Sequence, residues 1–225
     1  MSLLDSLKKF FSPSAPTTPA ERAAVEPERV RAAQPLLQPR ARHVLCSGPH
    51  GLHRVAYTEW GEPTNRRVLV CVHGLTRNGR DFDDLARALA GEYRVVCPDV
   101  VGRGRSDWLT DKADYGFPVY VADMVTLIAR LDVEEVHWVG TSMGGIIGML
   151  LASLAGTPIT RLVLNDVGPV ITAASLRRIG QYVGRAPRFA DPAAAEAYIR
   201  EVGAPFGALT DAQWRHLTEY SVRRM

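Results

Sequence analysis

The stretch Val136-His137-Trp138-Val139-Gly140-Thr141-Ser142-Met143-Gly144-Gly145-Ile146-Ile147 constrains this chain more than any other. An apolar, β-branched run of strand length ends in Gly-x-Ser-x-Gly, and an apolar stretch free of proline, Ile146 to Leu154, follows as a buried helix should. That spacing predicts a nucleophile elbow. A serine hydroxyl attacks a carbonyl poorly unless it stands proud of a sheet, beside a base and under hydrogen-bond donors, and a strand-to-helix turn provides that setting. Gly140 and Gly144 sit where a Cβ would strike a neighbouring strand or helix, and the N–H of Met143 faces the developing oxyanion.

A second constraint is size. With 225 residues, 46% of them hydrophobic, the chain buries one full core as a single doubly wound or barrel domain. The net charge of +3 is small and the arginines are scattered, so nucleic acid is not an expected partner. Cys46, Cys71 and Cys97 cannot all pair, and the last two fall in apolar strand-like runs, which fits a reduced, cytoplasmic compartment. No run reaches the roughly 20 apolar residues of a membrane span, and no signal core is visible at the start.

Residues 1–11 place Leu3, Leu4, Leu7, Phe10 and Phe11 on one helical face beside Lys8 and Lys9. A short amphipathic helix is expected there, packing on the body of the protein or touching a membrane or other apolar surface weakly. Residues 12–40, rich in Pro and Ala, read as a linker too poor in apolar surface to offset its chain entropy. His43 to Cys46 and Leu52 to Trp60 predict an opening hairpin across Ser47-Gly48-Pro49-His50-Gly51. His43, His50 and His53 match no zinc spacing and are expected as surface histidines.

Val68 to Val72 is a continuous apolar run, the mark of a strand buried on both faces, and it leads into His73-Gly74-Leu75. The second oxyanion donor is expected from the Leu75 N–H, with Gly74 allowing close backbone approach. His73 is expected to serve through its backbone position, although its imidazole is a possible base. Helices are predicted over Asp81 to Ala90 and Tyr120 to Leu131, and strands over Tyr93 to Cys97 and Ile159 to Leu164. The glycines in Pro98-Asp99-Val100-Val101-Gly102-Arg103-Gly104-Arg105-Ser106-Asp107 do not spell a phosphate-binding loop, and Asp99 is expected to order this turn.

In order and spacing these three motifs, His73-Gly74-Leu75, Pro98 to Ser106 and Gly140 to Gly145, make the chain resemble the α/β-hydrolase superfamily of esterases, lactonases and carbon–carbon hydrolases. The resemblance covers about Val44 to Pro169. It implies an α/β fold: a doubly wound, mostly parallel sheet with an opening antiparallel hairpin, a core over 41–169 and a helical lid over 170–225. It also implies Ser142 as nucleophile and the amides of Leu75 and Met143 as oxyanion hole, supported by His73, Gly74, Gly140 and Gly144. A serine at the elbow argues against the dehalogenase and epoxide hydrolase chemistries of related proteins, which use aspartate there.

The resemblance breaks downstream. The family's acid and base follow the nucleophile on later loops, yet Ser175 to Gly184, Pro192 to Val202 and Thr210 to Val222 are all helix-like. Asp166, after the last strand-like run, is a candidate acid, and Ser142, Asp166 and His216 imitate a triad, although His216 sits in a helical segment. The aromatics Tyr182, Phe189, Tyr198, Phe206, Trp214 and Tyr220 partly face an acyl pocket or simply form core. The expectation is that the family's last two strands, a helix and the base lie outside this sequence, with turnover reduced by several orders of magnitude.

The sequence therefore predicts a serine hydrolase of a carboxylic ester, thioester or lactone, acting through an acyl-enzyme on a small acyl substrate. It predicts no cofactor and no metal. The alternatives are a non-catalytic binding or regulatory protein on the same fold, and carbon–carbon hydrolysis or perhydrolysis at the same serine.

Overall fold

The computed structural model describes residues 37–181, 183–184 and 187–223. The helix expected over 1–11, nearly all of the linker over 12–40, and Tyr182 lie outside the described residues.

Within them, β1 (Arg40–Gly48) and β2 (Gly51–Trp60) form the opening hairpin, longer than the alternation alone indicated. Gly48 pairs with Gly51 across a turn made by Pro49 and His50, and Gly51 takes φ +127°, a conformation that side chains with a Cβ rarely adopt. The strands β3 (Val68–Val72), β4 (Arg94–Pro98), β5 (Val136–Thr141) and β6 (Ile159–Asn165) complete a sheet of order β1-β2-β4-β3-β5-β6. β4, β3, β5 and β6 run parallel, while β1 and β2 are antiparallel.

The continuous apolar run in β3 follows from its central place, since every residue of Val68–Val72 is buried. A strand's side chains alternate between faces, so Val68, Val70 and Val72 join one core and Leu69 and Cys71 the other. The first core is closed by α2 (Phe117–Leu131), through Met124 and Leu127, and by α3 (Met143–Ala152), through Ile147 and Leu151. The second is closed by α1 (Asp83–Leu89), through Ala86 and Leu89. β6 forms the edge of the sheet among the described residues, and its side chains are only half-buried or exposed.

Local signals account for the element ends. Pro118 enters the first turn of α2, where its missing N–H costs nothing, and Asp132 closes the helix at φ 54°. The predicted helix over Asp81 to Ala90 is split: a 3-10 turn over Gly79–Phe82, capped by the Asn78 side chain, precedes α1. After β6 come α4 (Ala173–Gly180), α5 (Pro192–Val202) and α6 (Asp211–Ser221), capped by Thr172, Asp191 and Thr210. Among the described residues no helix is long and apolar enough to cross a membrane.

One expectation fails. His43 and His50 are exposed, but His53 is buried beneath the hairpin against Asp123 of α2. The reason is register: β2 alternates, so His53, Val55 and Tyr57 share its inward face.

Candidate active site

The turn between β5 and α3 is built by sterics. A Cβ on Gly140 would lie 2.3 Å from the Gly144 carbonyl oxygen, and one on Gly144 would lie 2.0 Å from the Val72 carbonyl oxygen. Only glycine permits strand, turn and helix to approach this closely. Ser142 at the crest takes φ 49° and ψ −112°, an unfavourable conformation for a residue with a Cβ. Its N–H donates to the Asn165 carbonyl at 2.8 Å, and its carbonyl accepts from Gly145 and Ile146, so the strain is held by backbone bonds on both sides. Ser142 itself is half-buried, so its hydroxyl remains within reach of a ligand.

Of the expected oxyanion donors, Met143 follows Ser142 directly and Leu75 follows Gly74. Met143 opens α3, where the first N–H groups lack helical acceptors. Gly74 passes beside the serine: a Cβ there would lie 3.7 Å from the Ser142 Cβ. Among the described residues neither the Leu75 N–H nor the Met143 N–H donates a hydrogen bond. Among the described residues the hydrogen-bonding capacity of these two amides is thus unused, a condition for receiving a developing negative oxygen.

His73 is excluded as a base by its partners. It is fully buried, its Nδ1–H donates to the Gly74 carbonyl at 2.7 Å, and its Nε2 accepts from the Val100 N–H at 2.9 Å. Burial pushes its imidazole below the usual histidine range, so the neutral ring is the one that ties the loop after β3 to the loop after β4. Asp99 fixes the same pair of loops, accepting from Gly79 N–H at 2.7 Å and Arg105 N–H at 2.8 Å. Asp99→Asn puts an amide NH2 group against one of these N–H donors. The expected cost is about 1–3 kcal/mol, read as a lower urea midpoint with an unchanged slope.

The other proposed partners are not assembled. Asp166 follows β6 at φ 54°, exposed, and makes no side-chain hydrogen bond among the described residues. His216 faces away from the imitated triad: its Nε2 bonds the Arg80 carbonyl at 2.9 Å and lies 3.5 Å from the Asp83 carboxylate. Its sequence position after Ser142 misled because α6 docks on Arg77, Asn78 and Arg80, in the segment after β3. Arg77 reaches the Ser221 hydroxyl at 2.6 Å, Asn78 donates to the Tyr220 carbonyl at 2.8 Å, and the Arg80 guanidinium stacks on the Tyr220 ring at 4.2 Å. Among the described residues no histidine bonds to the Ser142 hydroxyl.

The aromatics of the helical segment divide. Trp214 is buried between α5 and α6, Phe189 packs on Tyr198 with centroids 5.4 Å apart, and Phe206 is exposed.

The model of the alpha/beta hydrolase fold matches residues 67–214. A 3-hydroxybutyrate-oligomer hydrolase of Cupriavidus necator is 59% identical over 179 residues, 80% of this chain and 61% of that protein. A lipase of Mycobacterium tuberculosis is 30% identical over 155 residues, 69% of this chain and 52% of its own length. Among solved structures, an alpha/beta hydrolase of Novosphingobium aromaticivorans superposes with a TM-score of 0.73 at 35% identity, covering 81% of this chain and 63% of that one. A Rickettsia typhi protein gives 0.78 at 34% identity, covering 84% and 69%. The chain thus spans about 61% of the first of these curated relatives and 52% of the second.

Proposed function

Because this chain belongs to the alpha/beta hydrolase fold family, we propose that it carries the nucleophile of an ester hydrolase acting on short hydroxyacyl oligomers. The observation that carries this reading is Ser142, half-exposed at a strained crest between β5 and α3, with the free amides of Leu75 and Met143 beside it. The substrate class rests on the 59% identity to a 3-hydroxybutyrate-oligomer hydrolase.

In this mechanism the Ser142 oxygen attacks the ester carbonyl carbon and its proton passes to a general base. The carbonyl oxygen becomes an anion held by the Leu75 and Met143 amides, at a position where donors fixed in advance need no reorganisation. The tetrahedral adduct collapses, the C–O bond breaks, and the alcohol leaves with the proton. Water then attacks the acyl-enzyme by the reverse sequence and frees the acid. Asp166, at the end of β6, is the proposed acid that orients the base, and α4 to α6 are the proposed lid.

The test is hydrolysis of 3-hydroxybutyrate dimers and trimers, followed by chromatography of the released monomer, beside a panel of simple esters, thioesters and lactones. Release of monomer faster than from simple esters of equal length supports the reading; hydrolysis of carbon–carbon or peroxy substrates alone replaces it.

One observation favours a second reading. No histidine among the described residues bonds Ser142, so these residues alone are those of a binding protein on the same fold. Absence of fluorophosphonate labelling at Ser142, alone and with the rest of the Cupriavidus necator relative's length supplied by fusion, selects that reading.

A further inference from the structure

The opening hairpin and α2 bring together three side chains that the reaction at Ser142 does not use. Cys46 and His53 are directly paired across β1 and β2, both on the inward face, and Asp123 meets them from the buried face of α2. Cys46 is 1% exposed, His53 5% and Asp123 0%. One sulfur, one ring nitrogen and one carboxylate oxygen from these residues all lie within 4.8 Å of one another. His53 Nε2 stands 2.9 Å from Asp123 Oδ1. Among the described residues Asp123 Oδ2 and His53 Nδ1, both buried, have no hydrogen-bond partner.

A carboxylate amid Tyr120, Met124 and Leu127 on the apolar face of a helix is costly unless its charge and its lone pairs are both met. The hydrogen bond with His53 meets one oxygen. Among the described residues it leaves Oδ2 without a partner, and the Cys46 sulfur reaches the Asp123 backbone carbonyl, at 3.9 Å.

We propose that Cys46, His53 and Asp123 form a binding site for one divalent ion of the zinc class, clamping α2 to the opening hairpin. Thiolate, carboxylate and neutral imidazole around a dication sum to zero charge, the arrangement best tolerated in a low-dielectric interior. The mixed sulfur, nitrogen and oxygen set suits zinc or cobalt and suits magnesium or calcium poorly. Tetrahedral zinc holds such ligand atoms about 3.3–3.8 Å apart, so side-chain rotations of roughly an ångström close the observed cluster. β2, β4 and β3 separate β1 from β5 in the sheet, so Cys46 and His53 lie apart from the turn that carries Ser142.

The test is a cobalt titration of the whole chain after dialysis against a chelating resin. The expected result is saturation at one equivalent, with a thiolate-to-cobalt charge-transfer band in the near ultraviolet and tetrahedral visible bands. Zinc displaces the cobalt and raises the melting temperature. Cys46→Ser removes the charge-transfer band while Cys71→Ala and Ser142→Ala retain it. Asp123→Asn, checked for its fold by circular dichroism, weakens binding at least tenfold. Should neither site variant fold, the wild-type titration decides alone: one equivalent with the thiolate band supports the site. No saturable band, or an unchanged band in a folded Cys46→Ser, overturns it and leaves a buried histidine–aspartate pair.

Discussion

In a form completed by fusion with the rest of the Cupriavidus necator relative's length, replacing Ser142 by Ala is expected to lower ester hydrolysis by about a thousandfold to a millionfold in kcat, with KM and melting temperature nearly unchanged. The magnitude follows from the covalent route: without Oγ there is no acyl-enzyme, and only the residual effect of the oxyanion donors on attacking water remains. The unchanged stability follows from the geometry. Alanine keeps the Cβ, so it inherits the same unfavourable φ of 49° and the same N–H bond to Asn165, and it removes a hydroxyl that makes no hydrogen bond among the described residues. The check is steady-state hydrolysis of 3-hydroxybutyrate oligomers beside fluorophosphonate labelling, with thermal unfolding on the same samples. Equal turnover in wild type and variant would end the case for Ser142 as nucleophile.

Gly144→Ala is expected to destabilise the protein by more than about 3 kcal/mol, although a glycine-to-alanine change inside a helix ordinarily stabilises it by roughly 1 kcal/mol. The inversion is a matter of distance. The new methyl group would lie 2.0 Å from the Val72 carbonyl oxygen, and that oxygen belongs to the central, fully buried strand β3. α3 has no room to retreat. A Cβ on Gly145 would meet Val167 at 2.5 Å, and one on Gly148 would meet the Trp138 indole at 2.5 Å, so this face of the helix is seated against its surroundings along its length. In a chain of this size the loss corresponds to a melting temperature lower by roughly 6–12 °C. Gly180→Ala in α4, where a Cβ meets nothing within 4 Å, is the control expected to be neutral or slightly stabilising. Similar melting temperatures for the two variants would contradict the packing described for α3.

Together the two variants separate chemistry from architecture at positions only two residues apart. Ser142 is expected to matter to the reaction and little to the fold; Gly144 matters to the fold first and to the reaction only through it. The neutral His73 ring and the Asp99 carboxylate belong with Gly144. They hold the loops after β3 and β4 in one piece.

Much of this was legible in the chain itself because the controlling interactions are local. A run such as Val68 to Val72 can bury every side chain only as a central strand. Gly-x-Ser-x-Gly between a strand-like and a helix-like stretch is dictated by contacts within a few residues, and Ser142 duly sits at the crest with φ 49°. Helix boundaries moved by a few residues where caps intervened, as at Asn78 and Thr172.

Tertiary structure alone decided what depends on partners distant in the chain. His53 reads as one of three ordinary histidines until the hairpin register turns it inward and α2 brings Asp123, 70 residues away, to 2.9 Å. His216 reads as a possible base until α6 docks it on the Arg80 carbonyl, 136 residues upstream. Sequence fixes which residues share a face of their own strand or helix, because backbone geometry has a short period. Which faces then meet depends on how whole elements pack, and no local period carries that information.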